Sequence, residues 1–207
     1  EIAAFWNLNI FTNQRHLAFA FAFAIFFIGI LIFIEKMPLK KQIFFLIPEV
    51  FILAIMPYFH QPILVIIAVF MSCYFILFPR LRVLLLLIGA VGAMYIFPQL
   101  IPLISDQKTI RWNPGYLFNT QYSILNTQFL WYWIQNMGLH FFLIPLGWIL
   151  APVKIKKITI PLLFVFCIPN LFQFSVDMIN NHKFFNFYLI FGNMLTAYTL
   201  IKLFSIK

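Results

Sequence analysis

The feature that most constrains this chain is a series of seven apolar stretches, each long enough to cross a lipid bilayer. A spanning helix needs about 20 mostly apolar residues, within a range of about 17–25. Short segments rich in Lys, Arg, Pro and amide side chains separate the stretches. The sequence therefore predicts an all-α, polytopic transmembrane helix bundle with about seven spans: 17–34, 42–58, 61–78, 82–104, 129–151, 158–175 and 185–205.

The composition excludes the main soluble classes. The chain is 64% apolar and only 9% charged, whereas soluble domains are near half apolar and a quarter charged. Disordered chains need low hydrophobicity and many charges. The net charge of +9 does not indicate a nucleic-acid partner, because the cations form small clusters between apolar runs instead of one basic face. The predicted partner is the lipid bilayer.

The chain is predicted to form a single transmembrane helical domain over residues 1–207. It opens with Glu1 and not with Met, so we expect further residues upstream. Cys73 and Cys167 both lie inside apolar runs, which argues against a disulfide framework or a metal cluster. The histidines show no His-x-x-His or Glu-x-x-His spacing. No cofactor is therefore predicted, and a divalent metal is kept only as an alternative that the ligand spacing does not support.

The loop charges predict the orientation of the bundle, because Lys and Arg accumulate on the cytoplasmic side. The loops on the side of the chain's start hold four cations: Arg15, Lys108, Arg111 and Lys183. The loops on the other side hold ten: Lys36, Lys40, Lys41, Arg80, Arg82, Lys154, Lys156, Lys157, Lys202 and Lys207. This predicts a multi-pass protein whose N-terminal end lies outside and whose C-terminus is cytoplasmic.

Two polar groups are predicted to lie on the outer face near the first three spans. The segment Asn13–His16 includes Gln14, Arg15 and His16, whose side chains can all donate hydrogen bonds to an anionic or hydroxyl-rich ligand. The alternative is an interfacial anchor with Arg15 bound to lipid phosphate. His60 lies in the tight turn between the second and third spans, where a structural role is the alternative.

The predicted outer loop 105–128 contains Arg111, a cation beside an aromatic residue. Arg111 and Trp112 are adjacent, so a guanidinium could hold phosphate while the indole stacks on a sugar or a lipid. A loop this long in a compact protein tends to be functional or disordered, and its aromatic residues argue against disorder. The alternative is an interfacial cap over the bundle.

The segment 177–185 carries the densest polar group in the chain. Asp177 is a candidate general base or cation ligand, and Lys183 is a candidate phosphate ligand. Asn181 and His182 lie between them. The alternative is a loop whose polar groups hydrogen-bond to one another, with an Asp–Lys surface pair that contributes little to stability.

Glu49 and His140 are polar residues inside predicted spans. Glu49 is expected about 10 Å deep at 1.5 Å per residue, and intramembrane acids are functional hypotheses by default. A helix-kink or packing role beside Pro48 is an equal alternative, since the proline ring frees a carbonyl to accept from a protonated acid. His140 is interpreted as an interhelical hydrogen-bonding residue.

Four short motifs together resemble the C-terminal half of polytopic membrane proteins of the C-type glycosyltransferase superfamily. They are residues 7–16 (NLNIFTNQRH), 57–60 (PYFH), 131–139 (WYWIQNMGL) and 180–185 (NNHKFF). The resemblance covers nearly the whole chain. Such proteins resemble the protein-mannosyltransferase class, whose members work on the outer or lumenal face.

The resemblance implies transfer of a sugar from a polyprenyl-phosphate donor on the extracytoplasmic face. It also implies that the catalytic acid lies upstream of this fragment, so Asp177 is only a weak catalytic candidate. The substrate-binding candidates are Gln14, Arg15, His16, His60, Arg111, Asn181, His182 and Lys183. The alternative is a transporter or flippase without covalent chemistry, with Glu49 and His140 near the bilayer midplane.

Overall fold

A computed structural model describes residues 15–105, 110–114, 127–174 and 179–205, and these residues are mostly helical. The predicted all-α class is confirmed. The helices are α1 Arg15–Ile34, α2 Leu39–Gln42, α3 Leu46–Phe59, α4 Gln61–Leu77, α5 Arg82–Ser105, α6 Thr127–Met137, α7 His140–Leu150, α8 Val153–Thr159, α9 Pro161–Leu171 and α10 Ile179–Phe204. Short 3-10 turns at Ile43–Phe45 and Pro79–Leu81 precede α3 and α5. Two two-residue strands, β1 Arg111–Trp112 and β2 Phe172–Gln173, form one antiparallel pair.

Among the described residues, three helices are long and apolar enough to cross a bilayer, namely His16–Ile34, Pro79–Pro98 and Asn181–Phe204. A fourth span results if α6 and α7 count as one, although they are bent by 88° at the break between them. These helices indicate an integral membrane protein. About seven continuous spans are not confirmed.

Backbone breaks explain why several predicted spans are shorter than their apolar stretches. Gly138, with φ of 55°, divides the predicted span 129–151 in two; glycine adopts this left-handed conformation without a steric penalty. The span 158–175 shrinks to α9, whose 11 residues extend only about 16 Å. The span 42–58 begins with a separate short helix and a 3-10 turn, which leaves α3 with 14 residues.

The chain divides into two compact units, one formed by Ile10–Thr109 and the other by Glu1–Asn9 with Ile110–Lys207. We call them the N-terminal and C-terminal units. In the N-terminal unit, α3 packs against α1, α4 and α5. Gly92 of α5 allows a close approach, because an added Cβ would lie 2.9 Å from Leu53 Cδ1 of α3.

The core of the C-terminal unit is an aromatic cluster that joins α6, α9 and α10. The Trp133 ring centroid lies 4.5 Å from that of Phe185 and 4.7 Å from that of Phe166. The indole Nε1 of Trp133 donates to Asn170 Oδ1 at 3.2 Å, so the buried polar end of the ring is satisfied. This cluster fixes the elements that carry the candidate site.

The surface of both units is rich in large apolar side chains. Phe44 and Ile47 are each 78% exposed, and Phe26 and Phe142 are more than half exposed. Monomeric soluble proteins rarely expose contiguous apolar patches of large area. The exposed phenylalanines and isoleucines agree with a lipid surrounding.

Candidate functional site

The candidate site in the C-terminal unit is organised by the side chain of Asn181, which is fully buried near the start of α10. Its Nδ2 donates to the carbonyl oxygens of Pro169 at 2.8 Å and Phe172 at 2.6 Å. Its Oδ1 accepts from the backbone N–H of Phe174 at 3.0 Å. The last carbonyls of a helix lack intrahelical partners, and here Asn181 satisfies that of Pro169 near the end of α9. Asn181 is thus a positioning residue that attaches β2 to α10.

Strand β2 in turn holds β1, which carries Arg111 and Trp112. Arg111 pairs with Gln173 and Trp112 pairs with Phe172. Asn113 secures the end of β1, because its backbone N–H donates to Leu171 O at 3.0 Å and its Nδ2 donates to Gln173 Oε1 at 3.1 Å. The guanidinium of Arg111 and the indole of Trp112 are consequently exposed on a fixed piece of backbone.

Helix α10 continues from Asn181 into a buried polar segment. His182 is 7% exposed and Lys183 is 6% exposed. Phe184 is also buried, and its ring stacks on that of Phe174 with centroids 4.8 Å apart. A buried ammonium acts at a lower effective dielectric than one in water, so its attraction for an anion is stronger.

Sequence reasoning missed Asn186, which lies one helical turn beyond His182. Asn186 is 4% exposed, and its Nδ2 has no hydrogen-bond partner among the residues that the structure describes. The i,i+4 spacing of His182 and Asn186 on one helix was the available signal, because residues four apart lie on the same face. The amide adds a buried donor to the polar segment at the start of α10.

A second polar cluster lies in the N-terminal unit and consists of His16 and His60. Their rings stack with centroids 5.9 Å apart and an interplanar angle of 12°. His16 is exposed at the start of α1, and His60 is buried between α3 and α4. The extended backbone of His60 ends α3, where its N–H donates to Met56 O at 2.7 Å. The pair presents one accessible imidazole that is supported by a buried one.

The remaining site predictions fall at the limits of the described chain. Gln14 and Asp177 lie outside the described residues, and the helical backbone of Arg15 is described without its side chain. Within the described ranges, no three His, Cys, Asp or Glu side chains form a group that could hold a metal ion.

His140 and Glu49, which lie inside predicted spans, differ in their hydrogen bonding. His140 Nδ1 of α7 is hydrogen-bonded to Thr196 Oγ1 of α10 at 3.1 Å, as the interhelical interpretation expects. Glu49 in the first turn of α3 is fully buried, and neither carboxyl oxygen has a hydrogen-bond partner among the described residues. The bond to a carbonyl freed by Pro48 is not present there.

Replacing Asn181 with alanine is expected to destabilise the protein by about 2 kcal/mol, because buried polar backbone groups lose their partners. Unfolding by titration with sodium dodecyl sulfate, followed by tryptophan fluorescence, measures this change. The control is Asn193→Ala, an exposed position on the same helix, where the change should stay within about 0.5 kcal/mol. Equal losses in the two variants would contradict the positioning role of Asn181.

The chain matches no family model, no curated protein and no solved structure. Its class therefore follows from the apolar helices, which indicate an integral membrane protein. Any more specific function has to be argued from the two polar clusters.

Proposed function

We propose that this chain is part of an integral membrane glycosyltransferase-like protein that transfers a sugar from a polyprenyl-phosphate donor on the extracytoplasmic face. The observation that supports this most is the series of contacts from Asn181 through β2 to β1. These contacts hold β1, with the exposed guanidinium of Arg111 and the exposed indole of Trp112, on β2. Asn181 attaches β2 to α10, the helix that also carries the buried Lys183.

This arrangement suits a sugar attached to a phosphate. Arg111 can contact two phosphate oxygens through its planar fork, and the amphipathic ring of Trp112 can stack on the sugar or on the lipid. Lys183 supplies a second cation within the first turns of α10, where the helix dipole also favours a negative charge. His182 and Asn186 supply nitrogen groups for hydroxyls.

The proposed reaction is an inverting transfer. A carboxylate deprotonates an acceptor hydroxyl, whose oxygen then bonds to the anomeric carbon of the donor sugar. The bond between that carbon and the phosphate oxygen breaks, and the bonding electrons leave with the polyprenyl phosphate. Arg111 and Lys183 stabilise the negative charge that develops on the phosphate. The carboxylate is proposed to lie upstream of this fragment, as the resemblance implies.

The histidine pair of the N-terminal unit is a separate candidate for binding hydroxyl groups. His16 is exposed and rests on the ring of His60, and Gln14 and Arg15 precede it in the sequence. The charge distribution supports an outer location for these residues, since only four of the chain's Lys and Arg residues fall on this side.

The test is transfer of a radiolabelled sugar from a polyprenyl-phosphate donor by the full-length protein in liposomes. We expect Arg111→Ala to lower the rate about tenfold, because a charge-assisted contact to phosphate is lost at an exposed position. The control is Arg80→Ala, which changes an exposed arginine of the N-terminal unit and should leave the rate unchanged. No labelled product from the intact protein would contradict the proposal.

A transporter or flippase is the second candidate, and two observations favour it. Glu49 is a fully buried acid in an apolar helix, and α6 and α7 form a broken pair of apolar helices. Buried acids and discontinuous helices are common at transport sites. A transporter would move the substrate into liposomes without altering it, and Glu49→Gln would abolish that uptake. A glycosyltransferase would instead produce a new labelled product.

A further inference from the structure

An apolar groove in the C-terminal unit lies apart from the polar clusters. Its volume is about 350 Å³, within the range of small-molecule sites. It is bounded by α7, α8, α9 and α10, and Leu195 of α10 lies about 18 Å beyond Lys183 along that helix at 1.5 Å per residue. The residues that define it best are Ile144, Trp148, Ile160, Leu163, Phe166 and Leu195.

The groove is open along one side and has almost no polar lining. Leu163 and Ile149 line it and are each about 60% exposed. The hydroxyl of Thr159, which also lines it, donates to the backbone carbonyl of Ile155 at 2.8 Å. A polar ligand would therefore find little to bind inside, whereas a hydrocarbon chain would fit its surface.

A cationic helix stands at the edge of this groove. Helix α8 has the sequence VKIKKIT, with three lysines and no acid. Its last residue, Thr159, and the next residue, Ile160, line the groove. Lys156 is in contact with the groove wall: its Nζ lies 5.5 Å from the centroid of the Trp148 ring, and its carbonyl accepts from Trp148 Nε1 at 3.4 Å. Lys154 and Lys157 are exposed beside it.

We infer that this groove binds one acyl chain of an anionic phospholipid, whose phosphate headgroup is held by the lysines of α8. The apolar lining selects a hydrocarbon chain, and the three lysines of α8, a helix without an acidic residue, select an anionic headgroup over a zwitterionic one. Lysines close to an anionic membrane surface attract it individually, and here the groove holds the attached chain next to them. The site is distinct from the proposed sugar-donor site at the start of α10.

The natural probe is Trp148, because bromine atoms on a lipid chain quench tryptophan fluorescence on contact. The protein is reconstituted into vesicles that contain brominated phosphatidylglycerol or brominated phosphatidylcholine at matched fractions. Subtracting the signal of Trp148→Phe isolates the contribution of Trp148. We expect stronger quenching of this contribution by the anionic lipid than by the zwitterionic lipid.

Two matched double variants test the charges. Lys154→Gln with Lys157→Gln leaves Lys156 beside the probe and should lower the apparent affinity for phosphatidylglycerol about 30-fold, at about 1 kcal/mol per lysine. Lys40→Gln with Lys41→Gln removes two exposed lysines of α2, which belongs to the N-terminal unit, and should leave the affinity unchanged. Lys154→Arg with Lys157→Arg should retain it, since the charge is kept.

Three results would overturn the inference. The first is equal quenching of Trp148 by the two lipids in the unmodified protein. The second is an equal loss of affinity in the α8 and α2 double variants, which would indicate general attraction of lipid to basic residues. The third is a difference between the lipids that persists after Trp148→Phe, because the selective contact would then lie elsewhere.

Discussion

Replacing Lys183 with methionine is expected to lower kcat/KM for sugar transfer about 100-fold. A hydrogen bond to a charged group contributes about 1.5–3 kcal/mol, and the upper part of that range corresponds to about 100-fold in rate. Lys183 is expected near this upper part because it is 6% exposed, so little water screens its charge. Methionine keeps most of the side-chain volume and removes only the ammonium. Initial rates measured over a range of donor concentrations give kcat and KM separately.

The matched control is Lys202→Met, at the other end of the same helix, where the lysine is exposed and its Nζ lies 5.7 Å from the ring centroid of Tyr198. This variant should transfer sugar at the rate of the unmodified protein. Lys183→Arg should recover part of the activity, since the positive charge is restored. If Lys183→Met folds normally and retains full kcat/KM, the assignment of Lys183 to the phosphate is wrong.

Replacing Gly147 with alanine is expected to destabilise the C-terminal unit by about 3 kcal/mol, which is the upper range for overpacking. The added Cβ would lie 2.6 Å from Thr199 Oγ1 and would also clash with the carbonyl oxygen of Leu195. Neither group can move easily, because the Thr199 hydroxyl lies 2.8 Å from Leu143 O and 3.0 Å from Leu195 O. Detergent-titrated unfolding measures the change in free energy.

Other helical glycines provide graded controls for this substitution. Gly29 has no atom within 4 Å of an added Cβ, so Gly29→Ala should be neutral or stabilise by up to about 1 kcal/mol. The loss of stability in Gly192→Ala should fall between the effects at Gly29 and Gly147. The atom nearest to its added Cβ, at 2.6 Å, is Cδ1 of Ile144, the flexible end of a side chain. A loss at Gly29 as large as that at Gly147 would show that close packing is not the cause of the loss at Gly147, because helix propensity favours alanine at both positions.

The helical class could be predicted from the sequence because hydropathy depends on composition alone. The number of continuous spans could not, since an apolar window does not register a break in the backbone. Gly138 and the short α9 lie inside windows that are mostly apolar. Only the conformation of those residues shows where each helix ends.

The polar residues of the site could be found in the sequence, but their roles depend on tertiary contacts. Asn181 is predicted to bind substrate, and the structure shows that its side chain bonds to three backbone groups contributed by residues 169–174. His140 and Thr196 are 56 residues apart, so their hydrogen bond has no local signature. For Asn186 the only local signal is its i,i+4 spacing from His182, which places the two on one helix face but does not show that the amide is buried.

The strand pair also dictates when the site can be completed during synthesis. It joins positions as far apart as Asn113 and Gln173, which are 60 residues apart, and Asn181 secures it from still later in the chain. Because chains emerge from the ribosome N-terminus first, helices α6 to α9 are already made when Arg111 acquires its partners. A nascent chain that stops before α10 lacks Asn181 and Lys183, so the proposed phosphate-binding surface can be complete only after the last helix has been synthesised.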